Sequence, residues 1–518
     1  MFKTKIRTLL LAVAAVCAMQ GWAAAQNAGQ RVMVQDIQFS GNTAISSDML
    51  SEVVGTNRGK EMSLAELRAL ADSVSEYYRA RGYFLAKAVL PEQDIVNGVV
   101  NLEILEGKPG KVEITGNNHY ATSFLDSFFN RIRRQGVIRK NNLERALLIM
   151  NSLPGLKATS VLEAGDVKGT TDILVTVVEG KQTRGTLEAD NFGSRFARVR
   201  AQAGVDFMNA LNRGDVCSLS GLAGLSSDDL YYFNANCTVP VDANGTSLGF
   251  YGLSGDFGVG KEFTALDIQG SAYAMGMYAT RILKIKQNGN IGGEIGLDIK
   301  NSEQDMLGIN SSTDHIVSLR LGVKKNATDK EGRTYAGFTI TQGLGEMLGG
   351  MENDDPKSSR AAGGADNSFT KLNIELARIQ ILTEKAFLIA RLNGQLTNKS
   401  VVAGEQFSIG GADSVRGFSQ SVYGGDKGFQ ISLEGRFASS KERLEKLQFA
   451  VFLESGHVSV KNPVLGQIDS KTITGAGLGL RAYPGNDLLI RADVGFPVGG
   501  KETGDDSVVP YLQIMKGY

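Results

Sequence analysis

Ala197-Arg198-Val199-Arg200-Ala201-Gln202-Ala203-Gly204-Val205-Asp206-Phe207 is the stretch that decides the fold. Its odd positions are apolar; its even positions carry charge, amide or glycine. A period of two puts successive side chains on opposite faces of a strand. The pattern recurs downstream. Leu488, Ile490, Ala492, Val494 and Phe496 alternate with Leu489, Arg491, Asp493 and Gly495, and Phe429, Ile431 and Leu433 with Gln430, Ser432 and Glu434. A soluble sandwich also alternates. A polar face this charged, repeated from Lys181 onward in a chain with an export signal, favours a transmembrane barrel with a wet lumen.

Composition bounds the alternatives. The chain has 518 residues, a length that suggests more than one domain. Formal net charge is +0, so no basic field argues for nucleic acid. Mean hydropathy is −0.10 with 21% charged residues, which excludes a helical membrane protein. High glycine (63) and low proline (9) fit a large β-structure.

The N-terminus reads as a signal peptide over residues 1–25. Lys3, Lys5 and Arg7 form the basic region, residues 9–19 the apolar one, and Ala23-Ala24-Ala25 the cleavage site. The apolar run is too short to span a bilayer. Processing removes Cys17 and Trp22, leaving Cys217 and Cys237. Their midpoint falls in the turn signal Ser226-Ser227-Asp228-Asp229, so the two should face each other across a hairpin. An oxidising compartment makes a cross-strand disulfide their expected state.

Between the signal and the alternating region lies a tandem repeat. The copies open on Ile37-Gln38-Phe39-Ser40-Gly41-Asn42 and Val112-Glu113-Ile114-Thr115-Gly116-Asn117, and close on Glu106-Gly107-Lys108 and Glu179-Gly180-Lys181. Openings lie 75 residues apart (Gly41 to Gly116) and closings 73 (Glu106 to Glu179), so two copies of one fold are the economical reading. Each copy reads strand, helix, helix, strand, strand. In the first, Ser63 and Glu66 form a capping box, Leu64, Leu67, Leu70, Ala71, Val74, Tyr77 and Tyr78 recur at helical spacing, and Gly82 ends the helix. Strands follow at 83–90 and 99–105. In the second, Asn141 and Glu144 repeat the cap, Pro154-Gly155 stops the helix, and strands follow at 159–162 and 172–178.

Gly82-Tyr83, Leu90-Pro91-Glu92-Gln93-Asp94-Ile95, Gly98 and Glu106-Gly107 resemble the polypeptide-transport-associated (POTRA) domain of two-partner secretion transporters. The resemblance implies POTRA domains at 32–108 and 109–181 that receive an extended polypeptide at their sheet edges.

Residues 182–518 then form a barrel of about 16 antiparallel strands by their turn signals. Short connections such as 382–386 and 483–487 belong on the periplasmic side, and long ones such as 343–367, 400–428 and 498–507 outside. Segment 400–428 is the eleventh connection, hence the sixth external loop. It carries Gly410-Gly411, Asp413, Val415-Arg416-Gly417-Phe418 and Gly425-Asp426-Lys427-Gly428, with Glu434 following.

That set resembles the signature of the two-partner secretion transporters, the exporters of haemolysins and filamentous haemagglutinins, within the superfamily of barrel-assembly proteins. The resemblance implies that loop 400–428 folds into the lumen. It also implies that Arg416 meets an acidic residue on the thirteenth barrel strand. The matching stretch is Phe452-Leu453-Glu454, with Glu454 where the family usually has aspartate. Glu454 is therefore the expected partner and Glu434 the second candidate, with a gross attraction of roughly 4 kcal/mol before desolvation. Val415, Arg416, Gly417, Phe418, Asp426, Glu434 and Glu454 are the expected gating residues. Residues 26–31 leave little room for the plug helix of many relatives, so the loop is expected to be the main occupant of the pore. The closing segment 511–518 ends on Tyr518, as barrel-assembly recognition prefers, although Lys516 interrupts its apolar face.

No constellation argues for an enzyme, a cofactor or a metal. Gly255, Gly260 and Lys261 mimic a phosphate loop, but Glu262 replaces the required Ser/Thr. His119, His315 and His457 lack ligand spacing. The expected partners are a secreted exoprotein with an N-terminal secretion domain, outer-membrane lipid, and the barrel-assembly machinery for insertion. The expected function is export of an unfolded partner from periplasm to cell surface. The alternatives are a barrel-assembly insertase and, further off, a passive porin.

Overall fold

The computed structural model describes residues 31–193, 198–225, 230–259, 266–503 and 506–518. The signal 1–25, the turn 226–229, and Gly260, Lys261 and Glu262 lie outside the described residues.

The N-terminal part holds two small α/β sheets. The first copy runs β1 (Arg31–Val34), β2 (Asp36–Ser40), α1 (Ser47–Val54), β3 (Lys60–Ser63), α2 (Leu64–Ala80), β4 (Lys87–Val89) and β5 (Val99–Leu105). Its main sheet has the order β2-β5-β4, with β2 parallel to β5. The capping box exists: Ser63 Oγ accepts from the Glu66 N–H, and Glu66 accepts from the Ser63 N–H. Leu67, Leu70, Ala71, Val74 and Tyr78 are the buried face of α2.

Three expectations here need correction. β1 pairs with β3 in an extra two-stranded sheet, which the repeat pattern did not announce. Only 87–89 of the expected strand 83–90 is extended; the Ala86 N–H closes a turn on the Tyr83 carbonyl. In the second copy, Asn141 lies inside helix α5 (Lys140–Met150) and does not cap it. That copy instead has α3 (Thr122–Ser127) and α4 (Asn130–Gln135) before α5, between β6 (Lys108–Thr115), β7 (Leu156–Ala164) and β8 (Thr170–Glu179), ordered β6-β8-β7.

The closing glutamates explain why the repeat is legible. Glu106 is buried and accepts from the N–H groups of Thr43 and Ala44 (both 2.8 Å) and from Tyr78 Oη (2.9 Å). Burial, with Glu106 adjacent, pushes the Tyr78 phenol up. Glu179 likewise accepts from the N–H groups of Asn118, His119 and Tyr120. Each carboxylate thus pins the loop that follows the opening strand.

The remaining chain is a closed barrel of 16 antiparallel strands. They are β9 (Thr183–Asp190), β10 (Arg200–Met208), β11 (Val216–Gly224), β12 (Leu230–Pro240), β13 (Thr246–Val259), β14 (Ile268–Lys286), β15 (Gly289–Met306), β16 (Ile309–Asp329), β17 (Gly332–Gly343), β18 (Thr370–Thr383), β19 (Ala386–Thr397), β22 (Lys427–Phe437), β23 (Leu447–Ser459), β24 (Ser470–Gly485), β25 (Leu488–Gly499) and β26 (Val509–Gly517). β26 pairs back onto β9 and closes the ring. Phe449, Val451 and Leu453 face outward and are exposed, while Ala450, Phe452 and Glu454 face inward and are buried. Such an apolar outer wall is stable only against lipid. Lys516 escapes that wall by donating to the Asn486 carbonyl at a tight turn.

Connection lengths follow the expected parity over much of the second half of the barrel, but not throughout: even 209–215 is longer than odd 225–229. The even connections 287–288, 330–331, 384–385 and 486–487 are tight, and the odd connections 344–369 and 398–426 are long. However, the odd connection 307–308 is short, and the even connection 438–446 carries a turn of helix, α6 (Lys441–Leu444). Cys217 and Cys237 sit opposite each other on β11 and β12 and are joined by a disulfide.

Candidate functional site

The eleventh connection, 398–426, is not the featureless loop its glycines suggest. It contains a small hairpin of β20 (Phe407–Ile409) and β21 (Tyr423–Gly425). Strand β22 begins at Lys427, so Gly428 belongs to the wall. Ile409, Val415 and Phe418 pack on Val458 and Ile473, which face inward from β23 and β24. The loop is therefore folded into the lumen. Its tip has almost no access to solvent: Val415 is 0%, Arg416 2% and Phe418 2% exposed.

Glycines on the wall make the seat. A Cβ on Gly495 would lie 2.5 Å from the Gly417 nitrogen, and one on Gly475 would overlap the Arg416 carbonyl. Gly417 itself has φ +103° and presses on the backbone of Phe496. The backbone of the tip is fastened as well. Tyr511 Oη accepts from the Gly417 N–H (3.0 Å) and donates to the Phe418 carbonyl (2.8 Å).

Arg416 reaches three carboxylates on three strands. Its Nη2 lies 2.6 Å from Glu454 on β23 and 2.7 Å from Glu434 on β22; its Nη1 lies 3.1 Å from Asp493 on β25. Nε and the backbone N–H both donate to the second Glu454 oxygen, at 3.1 and 2.8 Å. The guanidinium also lies over the Phe452 ring, 3.4 Å from its centroid. Both expected acids are contacted, but they are not equivalent. Glu434 is also held by Arg436 and Arg481, and Asp493 by Arg481 and Arg491. Among the described residues, Glu454 is met by Arg416 and the Ser432 hydroxyl alone. Glu454 is thus the carboxylate whose counter-charge comes from the loop.

Asp426 does not approach this cluster. It is fully buried and accepts from Arg360 Nη1 and Nη2 (2.5 and 3.2 Å) and from the N–H groups of Val401 (2.8 Å) and Lys461 (2.6 Å). It therefore knots three successive odd connections, 344–369, 398–426 and 460–469, together. A further contact was not legible in the sequence. Glu405, at the start of the loop, is 3% exposed and binds Lys300 on β15 at 2.6 Å and Lys371 on β18.

A protein-family model, "Haemolysin secretion/activation protein ShlB/FhaC/HecB", matches residues 169–482, more than half of the chain. The chain belongs to that family. A second model, "POTRA domain, ShlB-type", matches residues 32–107. The heme/hemopexin transporter protein HuxB of Haemophilus influenzae is 25% identical over 494 residues, covering 92% of this chain and 85% of HuxB. The outer membrane transporter CdiB of Dickeya dadantii is 24% identical over 414 residues, covering 76% and 70%. CdiB from Escherichia coli has the same fold, with a TM-score of 0.76 at 18% identity over 95% of this chain and 91% of that one. The family member described here is an outer-membrane transporter of the two-partner secretion type, with its POTRA region in the periplasm. Membership separates it from the insertase and porin alternatives.

Proposed function

We propose that this transporter exports one partner exoprotein as an extended, unfolded chain, and that loop 398–426 is the gate it displaces. The observation that carries the reading is the buried Arg416 tip, held inside the barrel by a carboxylate, Glu454, that has no other cation partner among the described residues. A buried charge pair adds little net stability over an apolar packing but fixes one arrangement, and breaking it leaves an unpaired buried charge. That is the energetic profile of a latch.

The partner carries an N-terminal secretion domain that adds a strand to a free edge of the POTRA sheets, assigned to 32–108 and 109–181. β2 and β4 are the edges of the first main sheet, β6 and β7 those of the second. The chain then passes the lumen after the loop withdraws and folds outside, which draws the rest outward without a covalent step. The barrel-assembly machinery inserts the transporter into outer-membrane lipid. Co-expression with a candidate exoprotein that carries an N-terminal secretion domain tests this. Arg416→Ala should insert in the membrane yet abolish surface delivery of that one exoprotein while other outer-membrane barrels persist. Undiminished export, or a general loss of barrels, would overturn the reading.

A further inference from the structure

The loop is held at two points by opposite charges. Arg416 enters the wall of β22, β23 and β25, and Glu405 enters the wall of β15 and β18. The two walls differ in what the loop leaves behind. Around Arg416 the wall carries three carboxylates, Glu434, Glu454 and Asp493, and three arginines, Arg436, Arg481 and Arg491. It is neutral without the loop. Around Glu405 the wall carries Lys300, Lys371, Arg320 and Lys324 against Asp298 and Glu294. With Glu405 there are four cations and three carboxylates; withdrawing it leaves four against two. Lys300 and Lys371, from separate strands, would then face each other without the anion that joins them.

We propose that the Lys300/Lys371 pair is a binding site for carboxylate side chains of the polypeptide in transit, occupied at rest by Glu405. This rests on the reading that loop 398–426 withdraws. Two ammonium groups converging on one oxygen pair repel each other unless an anion lies between them. Acidic residues of a passing chain supply that anion, exchange with Glu405, and leave again because each contact is screened by the wet lumen. The vacated Arg416 socket, being neutral, exerts no such pull. Glu405 therefore competes with cargo for one site, which couples arrival of an acidic segment to release of the loop.

The test uses the full chain in planar lipid bilayers, with hexaglutamate or hexaglutamine added on the POTRA side. In the Arg416→Ala protein, conductance should rise and hexaglutamate should block it about tenfold more tightly than hexaglutamine, with the preference falling at high salt. Adding K300Q and K371Q should abolish the preference, while K300R and K371R should retain it. Folding of each variant is checked by its heat-sensitive mobility on a gel. Equal block by the two peptides, or a preference that survives K300Q/K371Q, overturns the site. An unchanged conductance in Arg416→Ala instead overturns the withdrawal of the loop, and the site with it.

Discussion

Arg416 gives Glu454 three hydrogen bonds, from its backbone N–H, Nε and Nη2, at 2.8, 3.1 and 2.6 Å. One of these comes from the main chain, so the pair fixes the path of the loop as well as the direction of a side chain. Charge-assisted forks of this kind are selective in geometry. Removing one partner of such a buried pair costs about 3–5 kcal/mol.

Glu454→Gln keeps the shape of the wall and removes the counter-charge. It should raise the population of the open lumen by two orders of magnitude or so. Single-channel recording reads this as larger and more frequent openings. Arg416→Ala should act alike, and the double variant should add little, because both changes break one interaction. Additive effects would argue that each residue acts on its own.

Gly495→Val changes no charge but fills the seat of the tip, where a Cβ already meets Gly417 at 2.5 Å. The variant should fold, insert and leak like Arg416→Ala. A tight, export-competent Gly495→Val channel would show that the seat is not needed to hold the loop.

Asp426→Asn removes the charge that Arg360 meets and weakens the N–H contacts from Val401 and Lys461. The expected result is early protease cleavage within 344–369 and 460–469 on intact cells, with Arg416 still seated. Arg360→Ala should give the same cleavage pattern.

Glu106→Ala strips acceptors from the Thr43 and Ala44 N–H groups and the Tyr78 hydroxyl at once. Leaving buried donors unpaired costs about 1–3 kcal/mol each, partly recovered by water. The first POTRA domain should melt earlier and export should fall, while the conductance of the barrel stays as it was. Melting followed by limited proteolysis of residues 31–108 checks this.

Glu66 gives a pH dependence of definite sign. The backbone and hydroxyl of Ser63, with Arg31, hold its carboxyl down at about 2 in the folded chain. A depressed carboxylate stabilises the fold above its ordinary range, near pH 4.5, and loses that contribution as pH falls toward 2. The difference in melting temperature between the parent and Glu66→Gln should therefore be present at pH 6 and vanish near pH 2. A constant difference would mean that the capping hydroxyl of Ser63 dominates.

Local patterns carried much of this in plain view. The period of two announced the barrel wall, because every lumen residue needs a lipid-facing neighbour on the same strand. The 3.6 period and the Ser63–Glu66 box announced α2, because both contacts lie within one turn. The repeat of Glu106 and Glu179 was visible as spelling, although their task of pinning the loops after Gly41 and Gly116 was not. In the second copy, Asn141 resembled a cap only because an asparagine stands near a helix start; two short helices displaced it.

By itself the sequence determined the order of soluble repeat and barrel and the parity that puts segment 400–428 outside, both from short-range periodicity and turn signals. The meeting of Arg416 with Glu454 was implied by the resemblance of their two motifs to those of a family, since the residues stand 38 positions apart. Only the tertiary structure decided that Asp493 and Glu434 share the arginine, that Asp426 instead binds Arg360, and that Glu405 lies between Lys300 and Lys371. Those pairs join residues 18 to 105 positions apart. Closing the barrel sets which strands face each other across the lumen, and the stagger of 16 strands sets the depth at which each side chain stands. Neither quantity is written in any single strand.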